Sequence, residues 1–444
     1  MPVVTRFAPS PTGYLHVGGL RTALYSYLYA KQQKGTFILR IEDTDRARLV
    51  PGAIEALIRT LNIMGLPPDK GPYIQSERLE LYREHAKRLI DKGHAYYCFC
   101  TKERLVILRD EQQAKKAPMK YDRVCLHLTK NEIEKKLTAH EPHVVRLLVP
   151  EGKTTFVDEI RGEITIDNKE VDDQVLLKTD GFPTYHLAVV VDDNDMNITH
   201  IIRGDEWISS VPKHVILYNM FGFTIPRFAH LPLILNPDKS KLSKRQGDVA
   251  VEDYLAKGYL PETLINFVAL LGFNPTADRE IYSLDELIEF FDLSKINKSG
   301  AVFDHAKLDW MNGLYLRSKS IYELIELAKP FLEKSSISID PAFFSRISEI
   351  EKDRLVTLQD ITDRAREYLQ PIAFAPAMLV WKKSDASDAK MHLSALHARL
   401  SRTADETFVD RALLEALIKK YIEEGNYTHQ FVDLLPLCFF VFHQ

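Results

Sequence analysis

The spacing of apolar residues changes along this chain, and the changes divide it into segments. A short apolar run at 3–7 predicts a strand. Leu20, Ala23, Leu24, Tyr27 and Leu28 then recur at helical spacing until Gly35 stops them. A second helical face, Ile54, Leu57, Ile58 and Leu61, is predicted over 51–64, with Pro51 at its start and Gly65 just past its end. This alternation of strand and helix over 1–82 predicts the first half of an α/β domain. Residues 83–179 interrupt it, with alternating runs at 144–147 and 163–166. The runs at 187–191 and 198–202 both have the composition of buried strands, so the second half of the sheet is expected over 180–236. Beyond Leu242 the spacing is helical. Leu255, Leu260, Leu264, Phe267 and Leu271 mark packed helices within 237–317, and Leu324, Ile325, Ala328, Phe331 and Leu332 open a further bundle over 318–444. An ordinary helix is predicted at 412–422. The apolar run at 434–444 is too short for a membrane helix and, if exposed, is an interaction or aggregation liability. No internal repeat is visible.

Composition narrows the class. A chain of 444 residues accommodates roughly two to four domains. No stretch approaches the ~20 apolar residues that cross a bilayer, and the opening Met1-Pro2-Val3-Val4-Thr5-Arg6 lacks a signal-peptide layout, so a cytoplasmic protein is expected. The net charge of −4 argues against a uniformly basic nucleic-acid coat but allows local basic surface, as at 102–136.

Four cysteines are too few for a disulfide scaffold in a chain this long. Cys98-Phe99-Cys100 and Cys125-Leu126-His127 instead form two pairs of thiolate and imidazole donors, which suits a tetrahedral Zn2+ site, one ion per chain, clamping an insertion with little core of its own. The competing reading is a small patch of reduced, buried cysteines. Cys438 stands apart.

Two distant segments carry the candidate chemistry. Phe7-Ala8-Pro9-Ser10-Pro11-Thr12-Gly13-Tyr14-Leu15-His16-Val17-Gly18-Gly19 lies on the first strand-to-helix crossing, where a helix N-terminus and glycines let a polyanion approach the backbone. His16 there can donate to phosphate oxygens. The alternative is a glycine-rich turn with a partly buried histidine. Lys241-Leu242-Ser243-Lys244-Arg245 follows the turn signal Asn236-Pro237-Asp238, and its two lysines suit a loop that closes over a triphosphate. Alone it would read as a solvated basic loop.

Taken together and in this order, the two segments resemble the HIGH and KMSKS signatures of class I aminoacyl-tRNA synthetases, with Val17, Gly19, Leu242 and Arg245 as departures. Further blocks resemble the glutamyl-tRNA synthetase family: Arg6 to Gly13, Arg40-Ile41-Glu42-Asp43-Thr44-Asp45-Arg46, Asp180 to Tyr185, Val190-Val191-Asp192-Asp193, Ile202 to Glu206, and Lys307 to Gly313. The likeness runs to about Arg317 and then weakens. It implies a Rossmann-type α/β catalytic domain (1–82 and 180–236) with an acceptor-stem-binding insertion (83–179). Mostly α-helical stem-contact (237–317) and anticodon-binding (318–444) domains follow, the last lacking a final block of the family.

Free glutamate carries one ammonium and two carboxylates, so its pocket needs a carboxylate and arginine forks, the types that Glu42, Arg6 and Arg203 supply. The resemblance implies that Arg6 and Arg203 hold the side-chain carboxylate, that Ser10 and Glu42 hold the amino and α-carboxyl ends, and that Ala8 and Tyr185 complete the pocket. It places ATP at Pro9, Thr12, Gly13, His16, Gly18, Gly19 and Lys244, with His16, Lys241 and Lys244 catalytic. Asp45 and Arg46 read as surface ion pairs. Arg354, near Arg364 and Arg366, is the candidate for anticodon contact, with a solvated helix charge as the alternative; the helical region as a whole also suits an oligomerisation bundle.

The expected reaction takes ATP with Mg2+, L-glutamate and tRNA(Glu), through a glutamyl-adenylate, in a monomer; the resemblance implies that tRNA is needed even for the first step. The rivals are an enzyme that also charges tRNA(Gln), a glutamyl-queuosine tRNA(Asp) synthetase, which would lack 307–422, a small-molecule nucleotidyltransferase, and a non-catalytic tRNA-binding paralogue, which would be expected to have lost His16, Lys244 or Arg203.

Overall fold

The first strand, β1 (Val4–Phe7), buries Thr5, Arg6 and Phe7 in succession and pairs in parallel with β2 (Thr36–Ile41), whose parallel neighbour is β3 (Lys70–Ile74). The computed structural model describes residues 2–242, 249–276, 278–369, 380, 385–404, 407 and 411–424, and falls into two compact units, Met1–Tyr315 and Leu316–Gln444.

In the first unit the crossover helix α1 (Val17–Gln32) is buried nearly all round, as expected for a helix packed on both sides. One side meets the sheet. The other meets α9 (Pro261–Ala269) and α10 (Leu284–Phe290), where Tyr25 Oη donates to the Ala269 carbonyl at 2.9 Å and Arg21 Nη1 to that of Leu271 at 2.9 Å. The sheet continues beyond β1. Thr199 N–H donates to the Val4 carbonyl at 2.9 Å, bringing in β9 (His200–Gly204), which pairs in parallel with β10 (Arg227–Leu231).

The helix expected at 51–64 is α2 (Ala53–Ile63). The run at 187–191 is not a strand. It lies in α6 (Tyr185–Asp195), a helix buried from Leu187 to Asp193 against α3 (Leu79–Asp91) and α7 (Val211–Phe221). A helix with no exposed face has no polar positions to reveal its period, so the apolar run alone does not distinguish it from a buried strand.

The interrupting segment holds an antiparallel sheet of β4 (Ala95–Cys98), β5 (Val144–Leu147) and β8 (Val175–Leu177), followed in space by the hairpin of β6 (Lys153–Asp158) and β7 (Gly162–Asp167). Strand β6 returns to the main sheet, where Asp158 aligns with Phe228 on β10. The segment also has a small apolar core, Tyr96, Cys98, Tyr121 and Cys125 with Leu105, Leu108 and Val144 around it, so it is not coreless as expected.

The second unit is helical among its described residues. Helices α12 (Ile321–Lys334), α13 (Pro341–Glu351) and α14 (Leu358–Leu369) pack together, and a Ser320/Glu323 capping box starts the first of them. Helices at Ala386–Leu400 and Arg411–Glu424 meet through Leu396, Leu400, Ile418 and Tyr421. The apolar run at 434–444 lies outside the described residues, as does Cys438.

Candidate active site

Parallel sheets present their ligand sites at the carboxyl ends of the strands, and the expected pocket residues gather there. Arg6 is near the end of β1, Glu42 directly follows β2, Arg203 is near the end of β9, and Tyr185 opens α6. Arg6, Glu42 and Arg203 are all buried. The Tyr185 phenol is pushed above its ordinary pKa by burial, with Glu42 and Asp193 adding to this while Arg203 and Arg6 oppose it, so one side chain feels the whole group. Its hydroxyl accepts from Arg203 Nη1 at 2.8 Å, and its ring packs on Trp207 with centroids 4.6 Å apart.

Beneath these residues lies a buried ion network. Arg40, wholly buried, donates from Nη1 to Asp193 Oδ1 at 2.7 Å and from Nη2 to Glu42 Oε1 at 3.1 Å, and its Nε lies 3.7 Å from Asp192 Oδ2. Arg6 Nε donates to the same Asp193 oxygen at 3.1 Å. Burial raises the Glu42 carboxyl above the usual range, although Arg40 and Arg6 oppose it. At Asp193 burial works in the same direction, but the two arginines outweigh it and hold the group ionised. Asp43 and Asp45, by contrast, bind Arg46 and Arg48 as local pairs whose arginines are exposed.

The loop after β1 is tied to this floor by the Glu42 N–H, which donates to the Pro9 carbonyl at 2.9 Å. Ala8 and Pro9 are half-buried, Ser10 and Thr12 exposed, and Gly13 adopts φ 137°, a left-handed conformation that suits glycine. His16 caps α1, its Nδ1 accepting from the Gly18 N–H at 2.9 Å. In a neutral ring that bond places the proton on Nε2, which makes Nε2 the donor edge.

The two glycines serve packing. A Cβ on Gly18 would lie 3.2 Å from His16 Nδ1, and one on Gly19 would lie 3.0 Å from Leu15 Cδ1. Their lack of a side chain thus accommodates the cap and the core.

Lys244 lies outside the described residues, but both roots of its segment are placed. Leu242 N–H donates to the Ile234 carbonyl at 3.0 Å, and Lys241 bridges Leu235. On the other side Val17 N–H donates to Val249 and Val251 N–H to Leu15, so the chain returns beside His16.

In the insertion, Cys98, Cys100 and Cys125 place their sulfurs within 4.8 Å of one another. The Cys100 and Cys125 sulfurs are 3.6 Å apart, near the ~3.8 Å edge of a tetrahedron with ~2.3 Å zinc–sulfur bonds. Burial opposes charge at Cys98, but hydrogen bonds with Tyr121 and Arg146 prevail and lower its pKa. Cys100 is pushed up to about 11 by burial and its cysteine neighbours. Three sulfurs this close together suit a bound cation. His127, expected as the fourth ligand, is exposed and outside the group. It ends a 3-10 turn two residues after Cys125, a spacing that turns the two side chains apart at about three residues per turn. The Tyr121 hydroxyl, 3.3 Å from Cys100 Sγ and accepting from the Cys125 N–H at 3.2 Å, is the oxygen at the cluster; only its spacing from Cys125 could have marked it in the sequence.

In the second unit Arg354 is largely exposed, its Nη1 3.5 Å from buried Glu351, and Arg364 lies 3.7 Å from the same carboxylate. Both arginines keep exposed surface, which an RNA contact requires.

The fold is that of a class I synthetase. The family profile for tRNA synthetases class I (E and Q), catalytic domain, matches residues 2–310, and that for an anticodon binding domain matches 323–433. The glutamate–tRNA ligase of Clostridium botulinum is 49% identical over 391 residues, covering 86% of this chain and 80% of that protein. That of Prosthecochloris aestuarii is 53% identical over 349 residues, covering 75% and 69%. The crystal structure of a glutamate tRNA ligase from Elizabethkingia meningosepticum in complex with its amino acid superposes with a TM-score of 0.86 at 35% identity, covering 97% of this chain and 92% of that one. The chain belongs to the glutamate–tRNA ligases of this class. Members of the family use ATP with Mg2+, and among the described residues no helix is long and apolar enough to cross a membrane.

Proposed function

We propose that this protein ligates L-glutamate to the 3′ end of tRNA(Glu) in two steps. The observation that carries the reading is the convergence of Arg6, Glu42, Tyr185 and Arg203 above a buried ion network, at the carboxyl-terminal side of the strands. Arg6 and Arg203 hold the side-chain carboxylate, and Glu42 and Ser10 hold the amino and α-carboxyl ends. The α-carboxylate attacks the α-phosphorus of MgATP in line, forming the mixed anhydride and releasing pyrophosphate. His16 Nε2–H stabilises charge at the α-phosphate, and Lys241 and Lys244 stabilise the departing pyrophosphate. The 2′-hydroxyl of the terminal adenosine then attacks the anhydride carbonyl and releases AMP. The second unit, with Arg354, meets the anticodon, and the enzyme works as a cytoplasmic monomer. A glutamyl-queuosine enzyme is disfavoured by the match to an anticodon domain over 323–433.

Charging purified tRNA(Glu) and tRNA(Gln) in parallel tests the reading: glutamylation of tRNA(Glu) is expected, no charging of either overturns it, and equal charging makes the enzyme non-discriminating. Lys244→Ala should slow the chemical step by about 2–4 kcal/mol, roughly 30- to 1,000-fold, with glutamate affinity little changed. A near-wild-type rate at saturating substrates removes the role.

The cysteine cluster would hold one Zn2+ per chain through Cys98, Cys100, Cys125 and the Tyr121 oxygen, a structural ion that cross-links β4 to the Val124–His127 turn. Elemental analysis of protein prepared reduced and metal-replete should find about one zinc per chain. Tyr121→Phe should weaken its retention against a chelator and His127→Ala should not. A metal-free protein would remove the site and leave the catalytic reading standing.

A further inference from the structure

Arg203 is held from behind as well as from within the pocket. Nη1 meets Tyr185, Nη2 lies 3.4 Å from the Trp207 carbonyl, and Nε donates to His230 Nε2 at 3.1 Å. His230 is the lateral neighbour of Arg203 in the parallel register of β9 and β10. It is wholly buried, and its Nδ1 lies 2.6 Å from Oδ2 of Asp158, also buried. Asp158 is itself fixed. Its Oδ1 accepts from the N–H groups of Ile160 at 3.0 Å and Arg161 at 2.8 Å, and its Oδ2 from the His230 N–H at 3.1 Å.

These contacts determine a tautomer. An arginine keeps its protons, so His230 Nε2 must be the acceptor and Nδ1 must carry the proton, which it donates to Asp158. A doubly protonated ring would set N–H against N–H. Burial, followed by the positive charge of Arg203, holds the imidazole below its ordinary pKa, against the pull of Asp158 and Asp205.

We propose that His230 is a positioning residue for amino-acid selection: oriented by Asp158, it accepts from Arg203 Nε and turns the outer edge of the guanidinium toward the side-chain carboxylate of the substrate. The proposal rests on the reading of Arg203 as that carboxylate's fork. The two forks are supported differently. Arg6 Nε meets the anion Asp193, whereas Arg203 has a neutral imidazole and no carboxylate partner among the described residues. A carboxylate in place of the ring would offset the charge of Arg203 before substrate arrived. The imidazole fixes direction and leaves that charge whole, so Arg203 is the fork that tells glutamate from its uncharged amide.

Three variants separate positioning from packing. Asp158→Asn is isosteric but removes the charge and one acceptor: its amide nitrogen must face N–H donors, either those of Ile160 and Arg161 or those of His230, so the proton on Nδ1 and the acceptor edge toward Arg203 are no longer held. His230→Asn keeps a polar atom near the Nδ1 position and loses the acceptor. His230→Gln carries an oxygen out to the Nε2 position. With the full chain, tRNA(Glu) and saturating MgATP, Asp158→Asn and His230→Asn should each raise the KM for glutamate about tenfold or more, with a much smaller change in kcat. They should also narrow the preference for glutamate over glutamine, and His230→Gln should recover most of the loss. Nitrogen-15 NMR of labelled histidine should show the wild-type ring protonated at Nδ1.

A proton on Nε2, an unchanged KM in folded Asp158→Asn and His230→Asn, or equal losses in His230→Asn and His230→Gln accompanied by loss of ATP affinity would each overturn the proposal. Arg203→Ala distinguishes the two levels. If it weakens glutamate binding while Asp158→Asn and His230→Asn do not, only the positioning role falls; if it leaves glutamate binding intact, the pocket reading falls and takes this role with it.

Discussion

Arg203→Ala should weaken glutamate binding by about 2–5 kcal/mol, roughly 30- to several-thousand-fold, while MgATP still binds. Two effects add. The substrate carboxylate loses a charged fork in a site that excludes water, and Tyr185 and His230, which now accept from Arg203, are left facing a gap. Arg203→Lys should restore little, because an ammonium has no planar edge to present to His230, Tyr185 and the substrate at once. Calorimetric titration of each ligand separately decides it, and an unchanged glutamate affinity would falsify the assignment.

Arg40→Met should destabilise the first unit by about 3–5 kcal/mol. The side chain is wholly buried among Asp192, Asp193 and Glu42, and removing its charge leaves carboxylates facing one another away from water. Asp192 retains Gln75, Arg78 and Tyr82 as partners, so the burden falls on Asp193 and Glu42, the groups that support Arg6 and face the pocket. Chemical denaturation would measure the loss, and the surviving folded fraction should show a raised glutamate KM. A change below about 1 kcal/mol would mean that the network is dispensable to the fold.

The legible parts of the sequence were those whose signal is local. β1, α1, α2 and the helical run of the second unit each carry their own period, proline or glycine. The pocket types could be read from substrate chemistry, since Arg6, Glu42 and Arg203 are what a dicarboxylic amino acid requires. Their supports could not. Asp193 lies 187 residues from Arg6, and Asp158 lies 72 residues from His230, and no spacing rule joins side chains that meet only through tertiary packing. Helix α6 was hidden because burial on every side erases the alternation that marks a helix, and the zinc reading took the nearer imidazole over Tyr121 because a ring in a tight turn points by geometry that a linear motif does not show.

The pinned roots of the lysine segment set how it responds to change. Only residues 243–248 lie between Leu242, bonded to Ile234, and Val249, bonded to Val17. Joining two fixed points by a chain segment costs entropy that grows only logarithmically with length, about 0.6 kcal/mol for each doubling, so residues added between these anchors are a small perturbation. The anchors are another matter. They decide where the segment starts and ends relative to His16, so under the proposed role of Lys244 releasing either one should lower its effective concentration at the phosphates although the lysine itself remains. Natural variation should therefore be freer in the length of this loop than in the two short pairings that hold it.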